Sequence, residues 1–135
     1  MRMDIEEPDA RSLGVSDEEA VSLCRDWMLH LGALDTVVAS GESRDICDLF
    51  SGRYLAWVDN TRGNLDGEKV MFAAGVASRD GRQPIIFKRG GIRLEAQRQA
   101  DLHGVALFYY APSDGVLEGA NILGHQLRAS HLSDH

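Results

Sequence analysis

Apolar residues in the first part of the chain recur every three or four positions, which predicts a helix with one buried stripe. The stripe comprises Ala20, Leu23, Cys24, Trp27, Met28 and Leu31. Ser16 precedes it and Glu19 follows three residues later, the pattern of a capping box at a helix start. Gly32 favours an end to the helix, because glycine readily adopts the left-handed conformation found after a last turn.

Short runs rich in β-branched and aromatic residues predict strands. The first run covers 36–39, after which 41–45 is polar and is predicted to be a loop. Runs at 46–50 and 53–58 flank Ser51-Gly52, so we predict a hairpin with a two-residue turn. Three later strands are predicted at 85–87, 105–110 and 116–118.

Helical patterns separate these later strands. Helices are predicted around 70–77 (ending near Asp80-Gly81), at 93–102 and at 121–129. The resulting order, α-β-β-β-α-β-α-β with a final short strand and helix, indicates an α/β domain. Its sheet is expected to be mixed, with helices on both faces.

Domain limits follow from where periodicity begins and ends. Residues 1–15 show no sustained period and are predicted to be a flexible acidic arm. The domain is predicted to cover 16–130, and 131–135 are assigned to a C-terminal tail.

Composition restricts the possible function. The chain has 135 residues and a net charge of −7, whereas DNA-binding proteins usually carry a basic surface. Seven acids and two arginines fall in residues 1–19, so the rest is nearly neutral. No apolar run has the roughly 20 residues of a membrane helix, so we expect a cytoplasmic protein without a membrane partner. Cys24 and Cys47 lack zinc-site spacing and are predicted to be buried thiols.

Candidate chemistry lies on the predicted hairpin. Asp48 is placed on its first strand, and Trp57 and Asp59 are placed at the end of its second. Residues on paired strands can lie side by side. An acid facing a polar pair in this way is how many nucleases hold Mg²⁺, which activates water and neutralises a scissile phosphate.

The segment 46–60, ICDLFSGRYLAWVDN, resembles the catalytic hairpin of Mrr-type restriction endonucleases, in the PD-(D/E)xK nuclease class. Three further segments are similar to the family's first helix, its third strand with the following turn, and a late helix–strand joint. They are 26–32, 80–87 with Gly90-Gly91, and 100–108. The resemblance covers about residues 17–128. It implies a restriction-endonuclease-like fold and a role in DNA restriction or defence.

The resemblance carries over few catalytic residue types. The family's first acid matches Asp48, whereas its second ligand position falls on Trp57 and its lysine falls on Asp59. The family's first-helix glutamate falls on Val21. Such groups act as one unit, so their loss implies a large loss of cleavage rate. In the opposing interpretation, Asp59 is a second metal ligand and Lys69 replaces the lysine.

Three functions remain open from the sequence. The first is a catalytically degenerate protein that binds DNA or a protein partner. In that case Trp57 would stack on a base or fill the core. The candidate phosphate contacts are Arg53, Asn60, Arg62, Lys88, Arg89 and Arg93, with ordinary solvated surface as the alternative.

The second function is an active Mg²⁺-dependent DNA endonuclease that uses Asp48, Asp59 and Lys69, with Asp48 and Asp59 as metal ligands. The third is a protein-interaction module or homodimer with no role in nucleic-acid binding. We expect a homodimer, and no cofactor unless the protein is an active nuclease, in which case the cofactor is Mg²⁺.

Overall fold

The structure is a computed structural model that describes residues 5–132. The described helices are α1 (Asp17–His30), α2 (Gly67–Asp80), α3 (Leu94–His103) and α4 (Ile122–Ser130). The strands are β1 (Val37–Val38), β2 (Leu49–Phe50), β3 (Tyr54–Asp59), β4 (Gln83–Lys88), β5 (Ala106–Ala111) and β6 (Val116–Gly119). The element order is the predicted one.

The six strands form one open, mixed sheet in which spatial order equals chain order. β1–β2, β2–β3 and β5–β6 pair antiparallel, whereas β3–β4 and β4–β5 pair parallel. The helices α2 and α3 connect the parallel strands, as such crossovers require. The predicted α/β class with a mixed sheet is therefore confirmed.

The start of α1 forms as the sequence predicts. The amide of Glu19 donates to Ser16 Oγ at 3.2 Å, and the amide of Ser16 donates to Glu19 Oε1 at 2.9 Å. Gly32 follows the C-cap residue and has a φ of 110°, which favours glycine there. The helix then packs its apolar stripe against the sheet, as expected.

The hairpin differs from its prediction in two ways. Residues 41–45 form a 3-10 helix rather than a loop, and β2 begins only at Leu49, so the predicted strand 46–50 is too long. The amide of Ser51 donates to the Tyr54 carbonyl at 2.9 Å, so the two central turn residues are Gly52-Arg53 instead of Ser51-Gly52. The segment 41–45 was predicted to be a loop because its residues are polar, and a short 3-10 helix has no apolar periodicity that would reveal it.

The core lies on both faces of the sheet. Alternate residues of β4 point to opposite sides: Ile85 and Phe87 pack with α1, whereas Ile86 packs with α2 and α3. Strands buried on both faces give the unbroken apolar runs seen in β4 and β5. Helices therefore cover both faces, as predicted, and Cys24 and Cys47 are buried free thiols.

The chain outside the predicted domain also contacts it. The segment 5–15 contains no helix or strand, yet the amide of Arg11 donates to the Pro112 carbonyl at 2.6 Å. At the other end, Leu132 is buried and its amide donates to the Leu31 carbonyl at 2.7 Å. The rest of the predicted arm and tail, residues 1–4 and 133–135, lies outside the described residues. No helix within the described part is long and apolar enough to cross a membrane.

Candidate functional site

The hairpin brings the three predicted site residues to one cavity. Its register pairs Leu49 with Ala56, which sets the residue before β2 beside the end of β3. Trp57 and Asp59 are two residues apart on one strand and share a face. Asp48, Trp57 and Asp59 all line a cavity of about 820 Å³ between α1 and α2.

Asp48 is held by the hairpin and by a neighbouring cation. One carboxylate oxygen accepts a hydrogen bond from the amide of Val58 at 2.7 Å. The other accepts from Arg44 Nε at 3.0 Å. The same guanidinium reaches Glu18 on α1 through Nη2 at 2.8 Å. Arg44 thus joins two carboxylates from different elements across the mouth of the cavity.

Asp59 lies at the end of β3 and meets two lysines. Its Oδ2 is 2.8 Å from Lys69 Nζ, and its Oδ1 is 3.4 Å from Lys88 Nζ. Thr61 donates to Oδ1 from its hydroxyl at 2.7 Å and from its amide at 3.0 Å. Burial alone would raise the pKa of Asp59, but the hydrogen bonds from Lys69 and Thr61 outweigh it and lower the pKa to about 2. Asp59 is therefore a fixed carboxylate at neutral pH.

Lys88 is fully buried beneath the cavity, next to Asp59 in the parallel β3–β4 register. Its ammonium donates to the Thr61 carbonyl at 2.6 Å and to the Thr61 hydroxyl at 3.1 Å. Burial lowers its pKa, while the neighbouring Asp59 carboxylate opposes that change. The prediction that Lys88 contacts a phosphate needs correction, because its ammonium is enclosed and occupied by these partners.

Trp57 forms part of the cavity wall rather than a ligand position. Its ring is half-buried, and Nε1 donates to the Ile46 carbonyl at 2.8 Å. Phe72 on α2 stands edge-to-face against it, with ring centroids 6.5 Å apart. Trp57 therefore fills apolar space on one side and faces the cavity on the other, so both predicted roles remain compatible with its position.

The other predicted nucleic-acid contacts lie in three places. Arg53 is a turn residue that immediately precedes β3, roughly 20 Å from the far end of that strand at the usual rise, and it does not line the cavity. Arg62 and Arg93 are exposed near the carboxyl ends of β3 and β4. Asn60 lines the cavity, and its side-chain oxygen accepts from Arg89 at 3.4 Å and from the buried Tyr110 hydroxyl at 2.7 Å.

Several residues of the cavity were missed by the sequence analysis. Arg44 precedes Asp48 by four residues, a spacing that suggests an ion pair in a helical turn, but its segment was predicted to be a loop. Glu18 was considered only as part of a helix start. Val21, at the position predicted for a catalytic glutamate, is a buried apolar wall residue.

The lining is acidic overall. The carboxylates are those of Asp17, Glu18, Asp48, Asp59 and Glu68, and the cations are those of Arg44 and Lys69. Both cations are paired within the cavity. Within residues 5–132, no group of three or more side chains is arranged to hold a metal ion.

Comparison with known proteins gives no match: no family model, no curated protein and no solved structure is significantly similar to this chain. The resemblance to Mrr-type endonucleases therefore remains a prediction. The observations define an α/β domain with a charged, partly aromatic cavity at the carboxyl ends of its first parallel strands.

Proposed function

We propose that this chain is a restriction-endonuclease-like domain, related to the Mrr type, that has lost cleavage and acts as a binding module. The element order and the convergence of Asp48, Trp57 and Asp59 on one cavity support the kinship. A setting in DNA restriction or defence rests on the sequence resemblance alone.

The observation that carries the loss of cleavage is that protein cations neutralise both acids. Arg44 engages Asp48, and Lys69 with Lys88 engages Asp59. Mg²⁺ needs several oxygen ligands in near-octahedral geometry. A metal would therefore have to displace Arg44 and Lys69, and Trp57 offers no oxygen in return. These residues do not fit an Mg²⁺ site as they stand.

A protein partner is favoured over DNA by charge. The cavity carries more carboxylates than cations, and its cations are already paired. Phosphates approaching this surface would meet a repulsive field. Only Arg62 and Arg93, of the predicted phosphate contacts, are both exposed and near the cavity end of the sheet.

One observation favours an active endonuclease as a second candidate. Lys69, which one interpretation of the sequence puts in place of the missing lysine, donates to Asp59 at 2.8 Å. In that case Asp48 and Asp59 would hold Mg²⁺, and Lys69, displaced from Asp59, would turn to the scissile phosphate. Such an enzyme requires rearrangement of the Arg44 ion pairs.

A nuclease assay decides between these candidates. Supercoiled plasmid, linear duplex and single-stranded DNA are incubated with purified protein and Mg²⁺ or Mn²⁺. We expect no cleavage above that of Asp48→Ala, with Glu118→Gln as a control for a distant acid on β6. Cleavage that the wild type and Glu118→Gln share and that Asp48→Ala lacks would overturn the proposal and establish the active enzyme.

A gel-shift titration in low salt tests the choice of partner. We expect no shift of a short DNA duplex, since counterion release, the main source of DNA affinity, needs unpaired cations. A salt-dependent shift that is lost when Arg62 and Arg93 are both replaced by glutamine would instead establish a DNA-binding module.

A further inference from the structure

One wall of the cavity combines an acid with an aromatic surface. Glu68 and Phe72 lie one turn apart on α2, so both project to the same side of the helix. Both line the cavity, and Phe72 is 54% exposed, a large fraction for an aromatic side chain. Trp57 adds a second ring at nearly a right angle to Phe72. This wall therefore offers ring surface and a carboxylate within one helical turn.

The charges of the cavity leave this wall negative. Arg44 is used by Glu18 and Asp48, and Lys69 is used by Asp59. Within the described residues, neither Glu68 nor Asp17 has a cationic partner. Asp17 accepts only a hydrogen bond from the side-chain Nδ2 of Asn60, at 3.2 Å. A cationic ligand would therefore be attracted to the cavity, whereas an anion would face repulsion.

Resting on the proposed binding function, we propose that this cavity receives an arginine side chain from a basic segment of a partner protein. A planar guanidinium can stack on a ring while it donates two hydrogen bonds to one carboxylate. Phe72 supplies the ring, and Glu68 supplies the carboxylate. A lysine ammonium matches this pairing less well, because it is a strongly hydrated point charge without a planar face.

The size of the cavity suits a peptide segment better than a lone side chain. Its volume of about 820 Å³ lies within the usual range of ligand sites. Apolar lining by Val21, Leu65 and Ile86 leaves room for the stem of the arginine and for a neighbouring apolar residue. Arginine is among the residues that most often supply binding energy at protein interfaces.

Binding of two peptides of equal charge tests the proposal. The probes are two fluorescein-labelled peptides, one of four Gly-Arg repeats and one of four Gly-Lys repeats. Their binding is measured by fluorescence anisotropy in 50 and 300 mM salt. The variants are Phe72→Ala and Glu68→Gln. Met71→Ala is the matched control on α2, because Met71 is exposed but does not line the cavity, and Glu118→Gln is the control for a distant acid.

We expect the arginine peptide to bind at least threefold more tightly than the lysine peptide. That preference should vanish in Phe72→Ala, and affinity should fall roughly threefold to thirtyfold in Glu68→Gln, as is usual for cation–π contacts and charged hydrogen bonds. Both controls should keep wild-type affinity and preference. Equal binding of the two peptides, no binding, or equal losses in the control variants would each overturn the proposal.

The peptide and nuclease experiments test different claims, so a negative result in one can be distinguished from a negative result in the other. DNA cleavage that depends on Asp48 refutes the proposed loss of activity, whatever the peptides do. Absence of an arginine preference in a protein that does not cleave DNA refutes only the identity of the ligand.

Discussion

Replacing Asp59 by asparagine tests how much the ion cluster at the end of β3 contributes to stability. The side chain is 9% exposed, and its pKa of about 2, against 3.8 for a free side chain, corresponds to about 2 kcal/mol at neutral pH. The change also leaves the buried Lys88 ammonium facing a neutral amide, and loss of one partner of a buried pair costs about 3–5 kcal/mol. Since the Thr61 oxygens still accept from Lys88, we expect a loss near the lower end, about 3 kcal/mol.

Urea unfolding at pH 7, followed by far-ultraviolet circular dichroism, measures this loss. With a slope of about 1.5 kcal/mol per molar urea, the midpoint should fall by about 2 M while the slope stays constant. Lys69→Met is the matched control: Lys69 is 58% exposed, so losing its contact with Asp59 should cost less than about 1 kcal/mol. A loss below about 1 kcal/mol in Asp59→Asn would refute the role given to the Asp59–Lys88 pair.

The lowered pKa of Asp59 also predicts that the loss of stability in Asp59→Asn depends on pH. Because the folded-state pKa of Asp59 lies below its unfolded value, the stabilisation is complete above pH 4 and is lost as the pH falls towards 2. About half of it should be gone at pH 3. The difference in unfolding free energy between the wild type and Asp59→Asn should therefore narrow from pH 5 to pH 3. A difference that stays constant or widens would contradict the assigned pKa.

Four further substitutions test the fold and the assembly. Ser16→Ala removes the cap of α1 and should lower the unfolding free energy by about 1 kcal/mol in urea titrations, and no change would contradict the capping role. Gly124→Ala places a methyl group against the Leu107 carbonyl and should cost about 2–3 kcal/mol, whereas Gly75→Ala, in open space on α2, should raise stability by about 0.5–1 kcal/mol. Equal effects of the two glycine variants would be evidence against the packing of α4 on β5. The expected homodimer is checked by sedimentation velocity of the wild type and Val37→Lys, since Val37 is exposed on the edge strand β1; a monomer at every concentration contradicts it.

Sequence periodicity predicted the fold well where elements are long and buried. α1 has a capping box and a full apolar stripe, and β5 is an unbroken apolar run, so both formed within a residue or two of their predicted limits. The short elements were less predictable. The two-residue β2 depends on its pairing with β1 and β3, which leaves no local pattern. The 3-10 turn at 41–45 is closed by local backbone bonds, such as that from the Ser43 amide to the Ser40 carbonyl at 3.2 Å, but it is too short to show an apolar period.

The candidate site was predicted in part. Asp48, Trp57 and Asp59 were expected together from the hairpin, because cross-strand neighbours follow from register. The approach of Lys69 to Asp59 was one of two interpretations. The burial of Lys88 was not foreseen, although Asp59 and Lys88 end successive parallel strands and such ends meet at one edge of a sheet. Recognising β3 and β4 as parallel neighbours would have suggested the pair.

The residues that line the cavity come from one part of the chain, which has a consequence for sequence variation. Every lining residue falls between positions 17 and 86, so α3, β5, β6 and α4 contribute none of the cavity surface. The last third of the chain therefore contributes to the core rather than to the cavity lining. Most of that last third can diverge in sequence under selection for packing alone, but Tyr110 is an exception, because its hydroxyl donates to the lining residue Asn60 at 2.7 Å.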